Sequence, residues 1–239
     1  MFASLVLATL LFFSAPNTAG LPFAQNPDRK TAAGAHAARS AKDIAQAFDA
    51  HYRRVQTMAG FFLEKYTSGG AGLVAESGTV YFEKPGRMRW DYDSPETKMF
   101  LVDGKQVWYY VPAEHTASRT TVKESDDWRT PLALLAGKVN LQRLCGSLTL
   151  GDSAGEAGNA VLVCRPRKAD EETFREVKLE VNSRDQLERL DIQEPGDIET
   201  EFRFGDWHEN VAIEASKFHF EPPVGVAIVN DATLGVKVQ

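Results

Sequence analysis

Cysteine is scarce: 239 residues contain only two, Cys145 and Cys164. That count excludes a disulfide-dense mini-protein and a zinc module that needs several thiolates. Positive charge is also in deficit. Lys and Arg number 27 against 33 Asp and Glu, for a net charge of −6 and a pI near 5.5. A phosphate-backbone binder wants a basic face, so this balance argues against nucleic acid as a partner. It leaves a neutral or lipidic ligand open. Long apolar runs are missing except for one at the start, FASLVLATLLFF from Phe2 to Phe13. About 12 apolar residues are too few to cross roughly 30 Å of hydrocarbon. The run suits the apolar region of a secretory signal peptide occupying residues 1–24, cleaved after Gly20 or Ala24. No Lys or Arg precedes it, so the usual positive start is missing, and a buried core helix is the alternative. No Cys follows the run, so no lipidation signal is expected and the mature chain should be soluble.

Catalytic constellations are absent as well. The five histidines (His36, His51, His115, His208 and His219) are scattered, with no H-E-x-x-H and no pair at i, i+4. No G-x-S-x-G elbow occurs, since Ser77-Gly78 has Ala75 where a glycine is needed. There is no phosphate-binding loop; Gly151, Gly155 and Gly158 fall in an expected hairpin. Asp126-Asp127 sit where helix capping explains them, and Asp91 and Asp93 flank a turn at Ser94-Pro95. A non-enzyme without metal or cofactor is the expectation.

What is present is a globular composition, 43% hydrophobic and 25% charged. Residues 25–39 are polar and Ala-rich without periodicity, a flexible lead before one domain over 40–239. Ser40 and Asp43 form a capping-box pattern with Asp in place of the usual Glu. Ile44, Phe48, Tyr52 and Val55 then make one helical apolar stripe.

Beyond Met58 the period switches to two. Strands are expected at 58–66, 78–83, 87–92, 98–102, 105–111, 117–123, 147–150, 161–165, 174–181, 187–193, 199–204 and 218–220. Lys84-Pro85-Gly86 joins one hairpin, and Asp103-Gly104 a second through a type I′ turn. Pro131 to Ala136 reads as a short helix stopped by Gly137. The pattern is mainly β with few helices: about eleven strands in one antiparallel sheet, strongly curved or rolled into a barrel. Val80, Phe82, Met88, Trp90 and Tyr92 share one face, while Thr79, Tyr81, Glu83, Arg87, Arg89 and Asp91 share the other. Large flat groups and Met suit flexible apolar matter, and equally an ordinary packed core. Cys145 and Cys164, with 18 residues between them, read as a structural disulfide, since a redox pair is usually C-x-x-C.

Four blocks carry a resemblance. They are Gly78-Thr79-Val80-Tyr81-Phe82-Glu83-Lys84-Pro85-Gly86-Arg87-Met88-Arg89-Trp90-Asp91-Tyr92 with Pro95, and Val102-Asp103-Gly104-Lys105 leading to Trp108-Tyr109-Tyr110 and Pro112. The others are Thr130-Pro131-Leu132-Ala133-Leu134-Leu135 and the tail Phe218-His219-Phe220-Glu221-Pro222-Pro223-Val224-Gly225-Val226. In this order, over about residues 40–230, the chain resembles the periplasmic outer-membrane lipoprotein carrier family, LolA.

The resemblance implies an incomplete antiparallel β-barrel with helices as a lid over an apolar cavity. It also implies a monomeric periplasmic chaperone that takes lipoproteins from an inner-membrane ABC transporter to an outer-membrane receptor. Exposing one chain of roughly sixteen carbons to water costs about 13 kcal/mol at about 0.8 kcal/mol per CH₂, so shelter is required. The expected acyl-chain cavity is lined by Phe62, Val80, Phe82, Met88, Trp90 and Tyr92, with Leu132, Leu134 and Leu135 in the lid. Lys84 stands where the family has an Arg linked to release; it keeps the charge and loses the planar fork. The alternatives are a receptor or envelope-stress sensor of the same fold, or an envelope hydrolase; the missing lipidation Cys and the missing nucleophile–base pair count against them.

Overall fold

A computed structural model describes residues 39–69, 72–122, 134–135, 140–152, 155–167 and 174–230. The expected signal peptide, most of the flexible lead, Leu132 and most of the expected helix at 131–136 lie outside the described residues.

Helix α1 spans Ala41–Arg54. Both arms of the capping box form: the Asp43 amide donates to Ser40 Oγ at 3.2 Å, and the Ser40 amide to Asp43 Oδ2 at 3.2 Å. Asp is therefore long enough to close the box here. Ile44, Ala45, Phe48 and Tyr52 are the buried stripe, and His51, Arg53 and Arg54 place basic groups at the negative end of the helix dipole.

Twelve strands follow in one sheet: β1 Thr57–Ser68, β2 Val74–Glu83, β3 Arg87–Ser94, β4 Lys98–Val102, β5 Gln106–Val111, β6 Thr116–Thr121, β7 Cys145–Leu150, β8 Ala160–Pro166, β9 Glu176–Val181, β10 Leu187–Glu194, β11 Ile198–Glu209 and β12 Ala227–Asn230. One-turn helix α2, Leu141–Leu144, precedes β7. The spatial order is β12-β6-β5-β4-β3-β2-β1-β11-β10-β9-β8-β7. The sheet does not close, and β7 and β12 are its edges.

Topology follows from two meanders. β1 to β6 build one wing by hairpins, and β7 to β11 build the other. They are welded at the centre, where β11 pairs antiparallel with β1 from Met58↔Glu209 to Ser68↔Ile198. β6 and β7 therefore end up in opposite wings. Leu134 and Leu135, between them in sequence, are buried in the same apolar cluster as Ile44, Phe48 and Tyr52 of α1. The face covered by α1 and these two leucines is the inner face.

Three expectations need correction. The segment 218–220 is not a strand: a 3₁₀ turn at Ala215–Phe218 puts Phe218 on the outer face against Met99, Leu101 and Trp108. The twelfth strand instead lies at 227–230 and pairs parallel with β6, so the sheet is not wholly antiparallel. The turn after β4 is not type I′. Gly104 alone has positive φ, at 98°, because Asp103 Oδ1 accepts from the Lys105 and Gln106 amides, both at 2.7 Å. That side-chain-capped loop replaces a two-residue primed turn.

The two expected faces are observed. Val80, Phe82, Trp90 and Tyr92 join the inner cluster with Met88 packed against it, whereas Tyr81 belongs to the outer cluster. Val107 and Tyr109 likewise point in, and Trp108 and Tyr110 out. The Cys145–Cys164 disulfide is formed, with Cα atoms 5.3 Å apart. It staples edge strand β7 to its neighbour β8.

Candidate functional site

The inner face is aromatic because β1, β2, β3 and β11 each send alternate side chains to it. The Phe62 ring stands edge-on to Trp90 at 4.8 Å and to Tyr92 at 4.9 Å. Trp90 also meets Phe82 at 5.9 Å, Phe202 at 5.4 Å and Phe204 at 6.2 Å. Each such pair adds about 0.5–1.5 kcal/mol beyond area burial. In the state described, Val80 and Trp90 have no exposed surface, and the rings form one continuous cluster with the α1 stripe and with Leu134 and Leu135.

Sequence patterning missed Phe202, Phe204 and Trp207. The alternation Phe202-Arg203-Phe204 was visible as a strand, but its juxtaposition with Trp90 depends on the β1–β11 weld. Trp207 is held by its indole N–H donating to the Leu187 carbonyl at 2.9 Å.

Helix α1 is tied down along its C-terminal half. The Lys84 ammonium donates to the Tyr52 carbonyl in the last turn of α1, and burial lowers the lysine's pKa. The Leu187 amide donates to Tyr52 Oη at 3.0 Å, and His51 Nε2 lies 2.8 Å from Glu209 Oε1. Asp49 Oδ1 accepts from the Leu141 amide at 3.0 Å, joining α1 to α2. A groove of about 450 Å³ opens beside α1 at the β7 edge, lined by Lys42, Gln46, Leu141, Leu148 and Arg167 among others. None of the aromatic residues lines it.

Polar groups also enter the inner face, at the Tyr92 end. Tyr92 Oη donates to Glu64 Oε2 at 2.8 Å, and Lys98 Nζ bonds both Glu76 oxygens at 2.6 Å while lying 4.5 Å above the Tyr92 ring. Burial pushes the Glu64 carboxyl up to about 7, a rise opposed by the Tyr92 hydrogen bond. The sequence reading named Tyr92 and left out Glu64, Glu76 and Lys98, which sit on β1, β2 and β4 and meet only through the pairing of the sheet.

Among the described residues no group of three or more His, Cys, Asp or Glu side chains is placed to hold a metal. Nor is any helix there long and apolar enough to cross a membrane. The arrangement is an apolar, aromatic face lying beneath an amphipathic helix.

Comparison with known proteins bears on what that matter is. The family model described as "Outer membrane lipoprotein carrier protein LolA" matches residues 53–221. The outer-membrane lipoprotein carrier protein of Nitrosomonas europaea is 31% identical over 157 residues, covering 65% of this chain and 73% of its own. That of Nitrosospira multiformis is 29% identical, covering 65% and 72% respectively. Among solved structures, an uncharacterized conserved protein from Thermus thermophilus superposes with a TM-score of 0.50 at 13% identity, over 80% of this chain and 99% of its own. That likeness concerns the fold alone.

Proposed function

We propose, since the chain belongs to the outer membrane lipoprotein carrier family LolA, that it is a periplasmic carrier that shields the acyl chains of lipoproteins. It collects them from an inner-membrane ABC transporter and delivers them to an outer-membrane receptor, acting as a monomer and without catalysis. The observation that carries this reading is the aromatic inner face of β1, β3 and β11 lying under an amphipathic helix in a chain of this family. Phe62, Val80, Phe82, Met88, Trp90 and Tyr92 would line the guest's path, and Leu132, Leu134 and Leu135 would cover it.

The physics sets how tight the carrier should be. A chain of roughly sixteen carbons loses about 13 kcal/mol of hydration penalty when sheltered. Release without an energy source then requires the receptor to bind better than the carrier. In the state described the inner rings touch one another. A guest therefore displaces α1 together with Leu134 and Leu135, and gains less than the full transfer energy because native ring contacts are given up. Lys84 on the Tyr52 carbonyl is the contact that such a displacement breaks.

The test is in vivo delivery combined with mass spectrometry of material that co-purifies from the periplasm. Wild-type protein should bring down intact acylated lipoprotein. Trp90→Glu, in protein that retains the native circular dichroism spectrum, should carry none. Cleaved product in place of intact lipoprotein would overturn the carrier reading in favour of a hydrolase, and normal delivery by Trp90→Glu would remove β3 from the guest's path.

A further inference from the structure

The inner face holds two polar atoms that no described group meets. Glu64 Oε1 and Trp90 Nε1 are both fully buried and lack a hydrogen-bond partner, in residues 2% and 0% exposed. Native interiors satisfy nearly all such groups, so each orphan calls for a reason. A second orphan pair, Arg189 Nε and Asp191 Oδ1, needs none from a guest, because the two residues are already ion-paired with each other at 3.5 Å.

Glu64 and Trp90 have no such explanation. They rise to the same inner face from β1 and β3, separated by β2, and the Phe62 ring packs on both Trp90 and Glu64's partner Tyr92. Phe and Leu at these positions would themselves leave no buried polar atom unpaired. Trp207 shows the contrast: in the same cluster its indole N–H is satisfied by the Leu187 carbonyl.

The two orphans are complementary in kind. Trp90 Nε1 can only donate, whereas the carboxylate oxygen Glu64 Oε1 accepts when ionised. Tyr92 Oη already occupies the other Glu64 oxygen and orients the group. Lys98 is spoken for by Glu76, so it does not neutralise Glu64 directly. A guest that meets both orphans needs a carbonyl for the indole and an N–H for the carboxylate, close to hydrocarbon. The acylated amino terminus of a lipoprotein has that chemistry, with ester carbonyls and an amide N–H where its chains join the peptide.

We propose that Glu64 and Trp90 form a polar anchor for the linkage groups of an acylated peptide, Trp90 donating to an ester carbonyl and Glu64 accepting the amide N–H, with Tyr92 as the positioning residue. This rests on the carrier reading and deepens it. The hydrocarbon is held without direction by the rings, and the anchor sets how deep the chains lie and leaves the peptide at the Lys98–Glu76 end. Neutralisation of Glu64 by a proton weakens its acceptor, which gives the anchor a release mode separate from movement of α1.

The experiment uses the full mature chain and two synthetic lipopeptides with identical chains and sequence. One has ester links and an N-acyl amide; in the other, ethers replace the esters and the amide is N-methylated. Fluorescence titration should show wild-type protein preferring the first by about tenfold, within the range expected when a buried polar group is left unpaired. Trp90→Phe and Glu64→Leu should each cut that preference to about threefold or less, and Glu64→Gln, which keeps an acceptor of the same shape, should retain most of it. If Glu64→Leu does not fold, Trp90→Phe and Glu64→Gln still decide the matter. An unchanged preference in Trp90→Phe overturns the anchor while carriage stands. Failure of wild-type protein to bind either lipopeptide overturns the carrier reading itself.

Discussion

The ammonium of Lys84, in the turn between β2 and β3, donates to the main-chain carbonyl of Tyr52 in the last turn of α1. One flexible cation thus joins the sheet to the helix that covers its inner face, at the negative end of that helix. The same tyrosine's hydroxyl takes the Leu187 amide, so Tyr52 is fastened from both ends.

The first prediction concerns this fastening. Lys84→Met keeps the aliphatic stem and removes the donor, which costs about 1 kcal/mol. Amide hydrogen exchange of residues 44–54 should accelerate while that of β9 is unchanged, and Lys84→Arg should restore slow exchange. Equal exchange in Lys84→Met and wild type would show that α1 is held elsewhere.

The disulfide offers a second. The Cys145–Cys164 bond, with a sequence separation of 19, closes the hairpin of edge strand β7. Its removal in a Cys145→Ser, Cys164→Ser double variant should lower unfolding free energy by about 3 kcal/mol from loop-closure entropy. Urea denaturation measures this, with a shift in midpoint and little change in slope.

A third follows from the sign of the Glu64 shift. Its folded pKa is raised to about 7 from 4.5, so the folded state holds a proton that the unfolded chain releases earlier. Stability from this group is complete below pH 4.5, falls as pH rises toward 7, and is flat above. Integrated over that window the loss is about 3 kcal/mol. The groups facing Glu64 are Tyr92 on β3, Glu76 on β2 and Lys98 on β4. In Glu64→Gln this slope should vanish, so the difference in Tm between variant and wild type should grow from pH 4.5 to 7 and then stay constant. A difference independent of pH would place the titration elsewhere.

A fourth tests a close approach. Gly78 sits at the register shift between β2 and β3, where a Cβ would collide with the Asp91 carbonyl oxygen and crowd Tyr92 Cα. Backbone cannot give way as a flexible side chain can. Gly78→Ala should therefore destabilise by about 1–3 kcal/mol, read as a fall in Tm. An unaltered Tm would mean that the two strands separate freely at this point.

Much of the site could be read in one dimension. The period-two run from Val80 to Tyr92 places Val80, Phe82, Trp90 and Tyr92 on one face whatever they pack against, because side chains alternate along any strand. The Ser40–Asp43 box and the Ile44–Phe48–Tyr52 stripe are equally local, since a helix brings i, i+3 and i+4 together by its own geometry. The cysteines could be paired because they flank one hairpin.

Other features have no local signature. Phe202 reaches Trp90 only because β11, more than 100 positions later, docks on β1. Glu64 looks like a solvent-facing residue by its charge, yet it falls in step with Met58 and Phe62 on the buried face of β1. Phe218 reads as strand and instead closes the outer face, while Ala227–Asn230 becomes a strand only because β6 leaves an edge to pair with.

The order of residues therefore determined the local elements, the faces of each strand, the capped helix and the cysteine hairpin, all set by contacts within a few positions. Which strands neighbour one another, which face of the sheet α1 covers, and which polar side chains are sealed inside were decided by the tertiary structure. Those outcomes depend on pairing between distant segments, where one hydrogen-bond ladder competes with another and no short window of sequence contains both partners.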